Sequence, residues 1–222
     1  MGNNTLNIIA LGLENIALKL ALVIAHKALD WLYCCGISYN VGGQMYLIYF
    51  TNAEIKDICA FMNTAYLLTG GNLGNREENL ATAKALIEEQ CGEVVAASSL
   101  YETAAWGNTD QPAFLNQALK VETALTARQL IRKMLKIEKQ MGRIREEKYG
   151  PRLIDIDMLL FNNEKHNYHF LKLPHPEMQN RRFALLPLAE IAADVVHPRL
   201  NKTIAALLEE CPDELAVTKI TN

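Results

Sequence analysis

Residues 155–161, DIDMLLF, place two carboxylates at the mouth of an otherwise apolar run. Alternate side chains of a strand point to opposite faces. Leu153, Asp155, Asp157, Leu159 and Phe161 would share one face, and Ile154, Ile156, Met158 and Leu160 the other. Apolar residues on both faces predict a central strand covered above and below. Two carboxylates on one face, with α-carbons roughly 7 Å apart, repel in a partly desolvated place unless a proton or a cation intervenes. A solvated pair on an exposed edge is the plain alternative, and the apolar continuation argues against it.

Around this strand the pattern is regular from Ala65 onward. AYLLT reads as a strand ending in Gly70-Gly71-Asn72-Leu73-Gly74, and a helix follows over EENLATAKALIEEQ, stopped by Gly92. Residues 93–103 and 113–123 read as strands separated by the loop AWGNTDQP. ARQLIRKMLKIEKQMG sets Leu130, Met134, Ile137 and Met141 at helical spacing. LPHPEMQNRRF is a proline-punctuated loop, and helical stretches at 182–193 and 203–210 close the chain. The order β-α-β-β-α-β predicts an α+β fold, a ferredoxin-like split βαβ sandwich with helices on one face of a mainly antiparallel sheet.

The bulk properties narrow the function classes. A net charge of -3 over 222 residues supplies no basic field for nucleic acid. The five cysteines are odd in number and contain no C-x-x-C pair, which argues against disulfide or zinc frameworks and for a reducing cytoplasm. No uncharged apolar stretch of ~18 residues predicts a membrane span. Residues 1–61 hold three lysines (Lys19, Lys27, Lys56) and four acids (Glu14, Asp30, Glu54, Asp57), and are thus charge-poor and rich in Leu, Ile and Ala. They read as a separate N-terminal extension with an apolar helix over 6–33, a Gly42-Gly43 turn and a strand MYLIYF. Met62 opens a second domain, 62–222, so the extension is either a packing module of its own or the product of a misplaced start.

Four constellations could carry chemistry. GGNLG is a strand-to-helix turn that could offer backbone N–H groups to an anion, though a plain tight turn fits equally. Arg143, Arg145, Lys148 and Arg152 precede the aspartates, and guanidinium forks beside a carboxylate-held cation suit a polyphosphate. Oxygen-only ligation favours magnesium over zinc. His175 stands between Pro174 and Pro176, followed by Arg181 and Phe183. Phe114 and Asn116 share a strand face, a stacking surface beside an amide that fits a flat heterocycle.

Together, KYGPRLIDIDML (148–159), DQPAFLN (110–116) and PHPEMQNRRF (174–183) resemble the 6-hydroxymethyl-7,8-dihydropterin pyrophosphokinase family of folate biosynthesis, over residues 64 to about 215. The resemblance implies transfer of a diphosphate from ATP, the co-substrate, to the pterin hydroxymethyl group, with release of AMP. It implies two Mg²⁺ ions on Asp155 and Asp157, with Arg143 and Arg145 closing over the phosphates. Arg152, His175 and Arg181 would hold the triphosphate, and Glu138 and Tyr149 would lie near the nucleotide. Phe114 and Phe183 would sandwich the pterin, with Asn116, Gln111, Thr103 and Trp106 around its edge. Partners would be these small molecules alone, with no nucleic acid and no membrane, and the enzyme a cytoplasmic monomer.

Three departures stand out: Ala104-Ala105 where two prolines are common, a shorter loop at 143–149, and GGN in place of G-S-N. The competing reading is a non-catalytic ferredoxin-like binding module. RNA-binding members of that fold use paired aromatics, a basic face and a K/R-G-F/Y motif, which is absent.

Overall fold

A computed structural model describes residues 62–104, 111–143 and 150–220, together with the backbone of two strands at 35–41 and 44–50. The chain divides into two compact units, Met1–Met62 and Asn63–Asn222. In the first, β1 (Cys35–Val41) and β2 (Gln44–Phe50) pair antiparallel, from Cys35 opposite Phe50 to Val41 opposite Gln44. The strand expected at MYLIYF is thus β2. The helix expected over 6–33 and the Gly42-Gly43 turn lie outside the described residues.

The second unit runs β3 (Asn63–Gly71), α1 (Arg76–Gln90), β4 (Glu93–Ala97), β5 (Tyr101–Thr103), β6 (Phe114–Thr123), α2 (Ala127–Gln140) and β7 (Asp155–Phe161). It continues with β8 (His166–Tyr168), β9 (Leu171–Leu173), α3 (Arg182–Ala192), α4 (Ile204–Glu209) and β10 (Val217–Lys219). The main sheet has the order β10-β5-β6-β3-β7, with β4 also paired to β6, and all its pairings are antiparallel. This is the ferredoxin-like α+β arrangement.

Capping residues start the helices where the pattern predicts. Asn75 caps α1, and Thr126 and Gln129 form a reciprocal capping box on α2. Leu80, Ala83 and Ile87 of α1 and Leu130, Met134 and Ile137 of α2 pack with Ala65, Leu67, Leu119 and Val121 on one face. Helices cover the other face too. Ala184, Leu185 and Leu188 of α3 and Ile204 and Leu207 of α4 pack with Tyr66, Leu68 and Ala118. The expectation of helices on a single face is corrected accordingly, and β3 is an interior strand buried on both sides.

The aspartate strand differs from its sequence reading in two ways. Among the described residues β7 pairs with β3 alone, so it is an edge strand, although both its faces are covered. Apolar faces report cover from above and below, and say nothing about a neighbour alongside. Second, the register slips between Tyr66↔Leu160 and Leu67↔Met158, which leaves Leu159 as a bulge. A bulge adds one residue and reverses the alternation beyond it. Leu160 therefore joins Leu159 on the α3 side, and Phe161 turns to the α1–α2 side. Asp155 and Asp157, before the bulge, keep one face.

Residues 93–103 form two strands because Ser98 interrupts the ladder. Its hydroxyl accepts the Ala118 N–H at 2.9 Å and its carbonyl accepts from the Gln117 amide at 2.7 Å. The hairpin β8–β9 and the edge strand β10 were not expected from the pattern. No helix among the described residues is long and apolar enough to cross a membrane.

Phe161 is 1% exposed after its bulge-driven change of side. Phe161→Ala should cost about 3–5 kcal/mol, read as a lowered midpoint in urea denaturation. A loss under about 1 kcal/mol would contradict its burial.

Candidate active site

The open ends of β3, β6 and β7 share one face with a cavity of about 630 Å³. One rung crosses the sheet there. Asp155 of β7 sits opposite Gly70 of β3, Gly70 opposite Asn116 of β6, and Asn116 opposite Tyr101 of β5. A Cβ at Gly70 would stand 2.5 Å from Asn116 Oδ1, so glycine is what lets the asparagine lie flat in the cavity floor.

The carboxylates meet a set of cations. Arg143 Nη1 lies 2.7 Å from Asp155 Oδ1, and Arg152 Nη1 lies 2.5 Å from Oδ2. Arg143 also pairs with Glu138, the buried carboxylate of α2. Burial works against the Arg143 charge, yet Asp155 and Glu138 together hold its pKa above the ordinary value. Glu138 accepts the Ile156 N–H at 2.8 Å, and burial raises its carboxyl pKa. It thereby caps the open edge of β7 between the two aspartates. Asp157 is half-buried, and burial together with the neighbouring Asp155 pushes its carboxyl up to about 7.

His175 follows the cis Leu173–Pro174 bond, and its backbone N–H donates to Leu159, the bulged residue, at 2.9 Å. Its Nδ1 accepts the Glu177 N–H at 3.3 Å. Burial, then Arg181, holds its pKa down at about 4, so the ring is neutral near pH 7 and carries its proton on Nε2. Arg181 lies over the Phe183 ring, 5.8 Å from guanidinium carbon to centroid.

Across the cavity, Phe114 and Phe183 both line the wall. Asn116 is 3% exposed and donates to Thr103 Oγ1 at 3.2 Å. Gln111 and Ala104 complete this side. Arg152 joins the two halves, its guanidinium carbon 5.9 Å from the Phe114 centroid while its nitrogen holds Asp155. The segment leading into Phe114 is pinned by Arg76, whose Nη1 donates to the Ala113 carbonyl at 2.8 Å and pairs with Glu102 at 2.7 Å.

The expected residues thus gather around one cavity: Thr103, Gln111, Phe114, Asn116, Glu138, Arg143, Arg152, Asp155, Asp157, His175, Arg181 and Phe183. Trp106, Asp110, Arg145 and Tyr149 lie outside the described residues. The GGN turn is no open anion cradle, because the Asn72 N–H donates to the Arg152 carbonyl at 3.0 Å. Sequence reasoning missed the apolar end of the cavity, made by Ile131 and Leu135 of α2 and His169 and Phe170 of the β8–β9 turn. Ile131, Leu135 and Glu138 stand at i, i+4 and i+7, a second stripe beside the core face, and this was the available signal. Phe170 stacks on Tyr168 at 5.8 Å under the Arg128 guanidinium, a contact with no local signature.

Among the described residues no group of three or more His, Cys, Asp or Glu side chains forms a metal cage. Two carboxylates on one face, one with its pKa raised by burial and then by the other, suit a hard cation that takes its remaining ligands from water and phosphate. Magnesium fits that donor set.

Comparison with known proteins gives one consistent result. The family model for 7,8-dihydro-6-hydroxymethylpterin-pyrophosphokinase (HPPK) matches residues 66–193. The chain is 41% identical over 143 residues to 2-amino-4-hydroxy-6-hydroxymethyldihydropteridine pyrophosphokinase of Aquifex aeolicus, covering 64% of this chain and 89% of that protein. It is 36% identical to the folic acid synthesis protein fol1 of Schizosaccharomyces pombe over 68% of its own length, spanning 21% of that longer protein. The fold matches wild-type Plasmodium falciparum HPPK-DHPS, crystallised with pterin and p-hydroxybenzoate, at a TM-score of 0.54 and 19% identity. That match covers 67% of this chain and 42% of that one, less than half its length.

The Asp157 carboxyl makes the metal-free protein sensitive to pH. A carboxyl whose folded pKa exceeds its unfolded value near 3.9 favours folding while protonated. That contribution is complete below about 4 and is lost as pH rises through about 7. In EDTA at pH 8, Asp157→Asn should be more stable than the parent by on the order of 1–4 kcal/mol. The gap should close toward pH 4, and urea midpoints from pH 4 to 9 check it. A gap independent of pH would contradict the assignment.

Proposed function

Since the chain belongs to the 7,8-dihydro-6-hydroxymethylpterin-pyrophosphokinase family, we propose that its cavity binds ATP and 6-hydroxymethyl-7,8-dihydropterin side by side, with magnesium on Asp155 and Asp157. The protein is a pyrophosphokinase of folate biosynthesis. The observation that carries the finer reading is the single rung joining Asp155, Gly70 and Asn116. It sets a cation-binding carboxylate and a heterocycle-reading amide on one flat floor.

The division of labour follows from the two ends of the cavity. Phe114 and Phe183 offer two aromatic faces for the pterin ring, and Asn116 and Thr103 offer polar groups for its edge. Ile131, Leu135 and Phe170 give an apolar seat for the nucleotide base. The triphosphate then lies between, against Arg143, Arg152 and Arg181, with the neutral His175 donating from Nε2. In this reading Arg145 and Tyr149 would serve the phosphate side, and Trp106, with Gln111, the pterin side. Glu138 acts through the strand, holding the Ile156 N–H so that both aspartates present to the same point.

Charge balance supports the need for divalent cations. Among the described lining residues, three carboxyl groups (Glu138, Asp155, Asp157) face three guanidiniums (Arg143, Arg152, Arg181). These charges nearly cancel, so a polyanionic nucleotide is held firmly only if it arrives with cations of its own. Bound magnesium, two ions in this reading, would neutralise the phosphates and polarise the β-phosphorus toward the pterin hydroxyl. No side chain need form a covalent bond. The chain's contribution is to position both substrates, exclude water and spread the transferred charge over its arginines. The site is read as that of a cytoplasmic monomer.

The full chain with ATP, Mg²⁺ and 6-hydroxymethyl-7,8-dihydropterin should release AMP in step with the diphosphorylated pterin. ADP as the nucleotide product would replace this reading with ordinary phosphoryl transfer. Asp157→Ala should lower turnover at least ~10³-fold while the cooperative thermal transition persists. Retained turnover in that variant would remove the aspartate from the machinery.

A further inference from the structure

Asn72 closes β3 at the point where the two halves of the cavity meet. It is 3% exposed, and its side chain and backbone together make four hydrogen bonds. Its N–H donates to the Arg152 carbonyl at 3.0 Å, and its Oδ1 accepts the Arg152 N–H at 2.8 Å. Its Nδ2 donates to Gln111 Oε1 at 3.3 Å and to the Pro112 carbonyl at 3.2 Å. The amide orientation is fixed by its neighbours, because Arg152 N–H must meet an acceptor and the Pro112 carbonyl must meet a donor. Beside it, a Cβ on Gly71 would lie 2.3 Å from the Leu153 carbonyl oxygen, so the 152–153 segment is pressed against the end of β3.

These bonds tie two segments distant in sequence. Residues 111 and 112 lead into Phe114, the aromatic face of the pterin side, and Arg152 carries the guanidinium of the phosphate side. The Arg152 side chain already touches both halves, through Asp155 and through the Phe114 ring. Its backbone N–H and carbonyl both bond to Asn72. The geometry points to Asn72 as the positioning residue that couples the two substrate halves: ordering Arg152 on a triphosphate orders the approach to Phe114, and the reverse. This inference rests on the functional reading above, and goes beyond it by assigning the coupling to one side chain that touches neither substrate.

The physical basis is shared ordering. A ligand that immobilises one segment spares the second ligand that cost, and the effect is reciprocal. Without the Asn72 amide, each segment keeps its own contacts, with Arg76 on Ala113 and Arg152 on Asp155, and the two are joined only by the looser contact of the Arg152 guanidinium with the Phe114 ring.

The test uses the full chain, Mg²⁺, a non-hydrolysable α,β-methylene analogue of ATP and 6-hydroxymethylpterin, with dissociation constants from calorimetry for each ligand alone and in the presence of the other. The parent protein should show a coupling factor of at least ~10. In Asn72→Ala that factor should fall to within about threefold of unity, with each single-ligand constant changed less than about fivefold. Asn72→Asp keeps the acceptor for the Arg152 amide and sets a carboxylate against the Pro112 carbonyl. It should retain nucleotide affinity and lose the coupling, and it decides the matter if the alanine variant does not fold. Coupling preserved in the variants, or weakening of both ligands with the factor unchanged, marks a purely structural role and overturns the inference. So does a parent protein with no coupling. A parent that binds neither ligand would instead strike at the functional reading itself.

Discussion

Asp155 carries a carboxylate gripped by two guanidiniums, with a second carboxylate two residues away on the same face. The rest of the site can be understood from the tension in that arrangement. The arginines are drawn to Asp155 by its charge, and Asp157 resists ionisation because it is desolvated and stands beside Asp155. In the proposed reading a polyphosphate accompanied by divalent cations would relieve both at once, the cations taking the carboxylates and the phosphates the arginines. The protein therefore holds these charges in pairs with one another. Partly buried pairs of this kind contribute little net stability, which makes their rearrangement on binding cheap.

The position of β7 at the sheet edge is what makes this exchange possible. A central strand would have both rows of backbone groups consumed by neighbours. Here the outer row is met instead by side-chain and loop groups, the Glu138 carboxylate on the Ile156 N–H and the Leu159 carbonyl with the His175 N–H. Unpaired strand edges are usually managed by charge or cover. In this protein the groups that manage the edge also line the cavity, so the same contacts finish the sheet and aim the site. The bulge at Leu159 serves both ends. It presents a carbonyl to His175, and it turns Phe161 into the α1–α2 core.

Periodicity and turn residues carried most of the fold. α1, α2, β3, β6 and β7 follow from stripes and alternation, while the caps Asn75 and Thr126 emerged only from the structure. What failed was long-range. Burial on both faces of β7 looked like centrality, because an apolar pattern cannot separate cover from flanking neighbours. The hairpin β8–β9, with strands of three residues each, is too short to show a period. The motifs located the acids, the arginines and the two phenylalanines, yet left Asn72 as a letter in a turn. Its bonds to Arg152 span 80 positions, and no local pattern announces such a contact.

The end of β3 shows why two glycines precede that asparagine. An interior strand of a covered sheet is normally well packed, and glycine there costs about 0.5–1 kcal/mol relative to alanine. Two in succession are tolerated for different reasons. Gly70 must leave room for Asn116 in the floor of the cavity, while Gly71, on the opposite side of the pleat, must let the Leu153 carbonyl approach. Had side chains stood there, Asn116 would be displaced from the floor and the 152–153 segment lifted from the strand. Arg152 would then lose its backbone partner, and Asp155, which follows three residues later, would lose its register with Gly70. The carboxylate rung is therefore held in place by the absence of two β-carbons as much as by any bond, and the local stability given up at the strand end is spent on the geometry of the site.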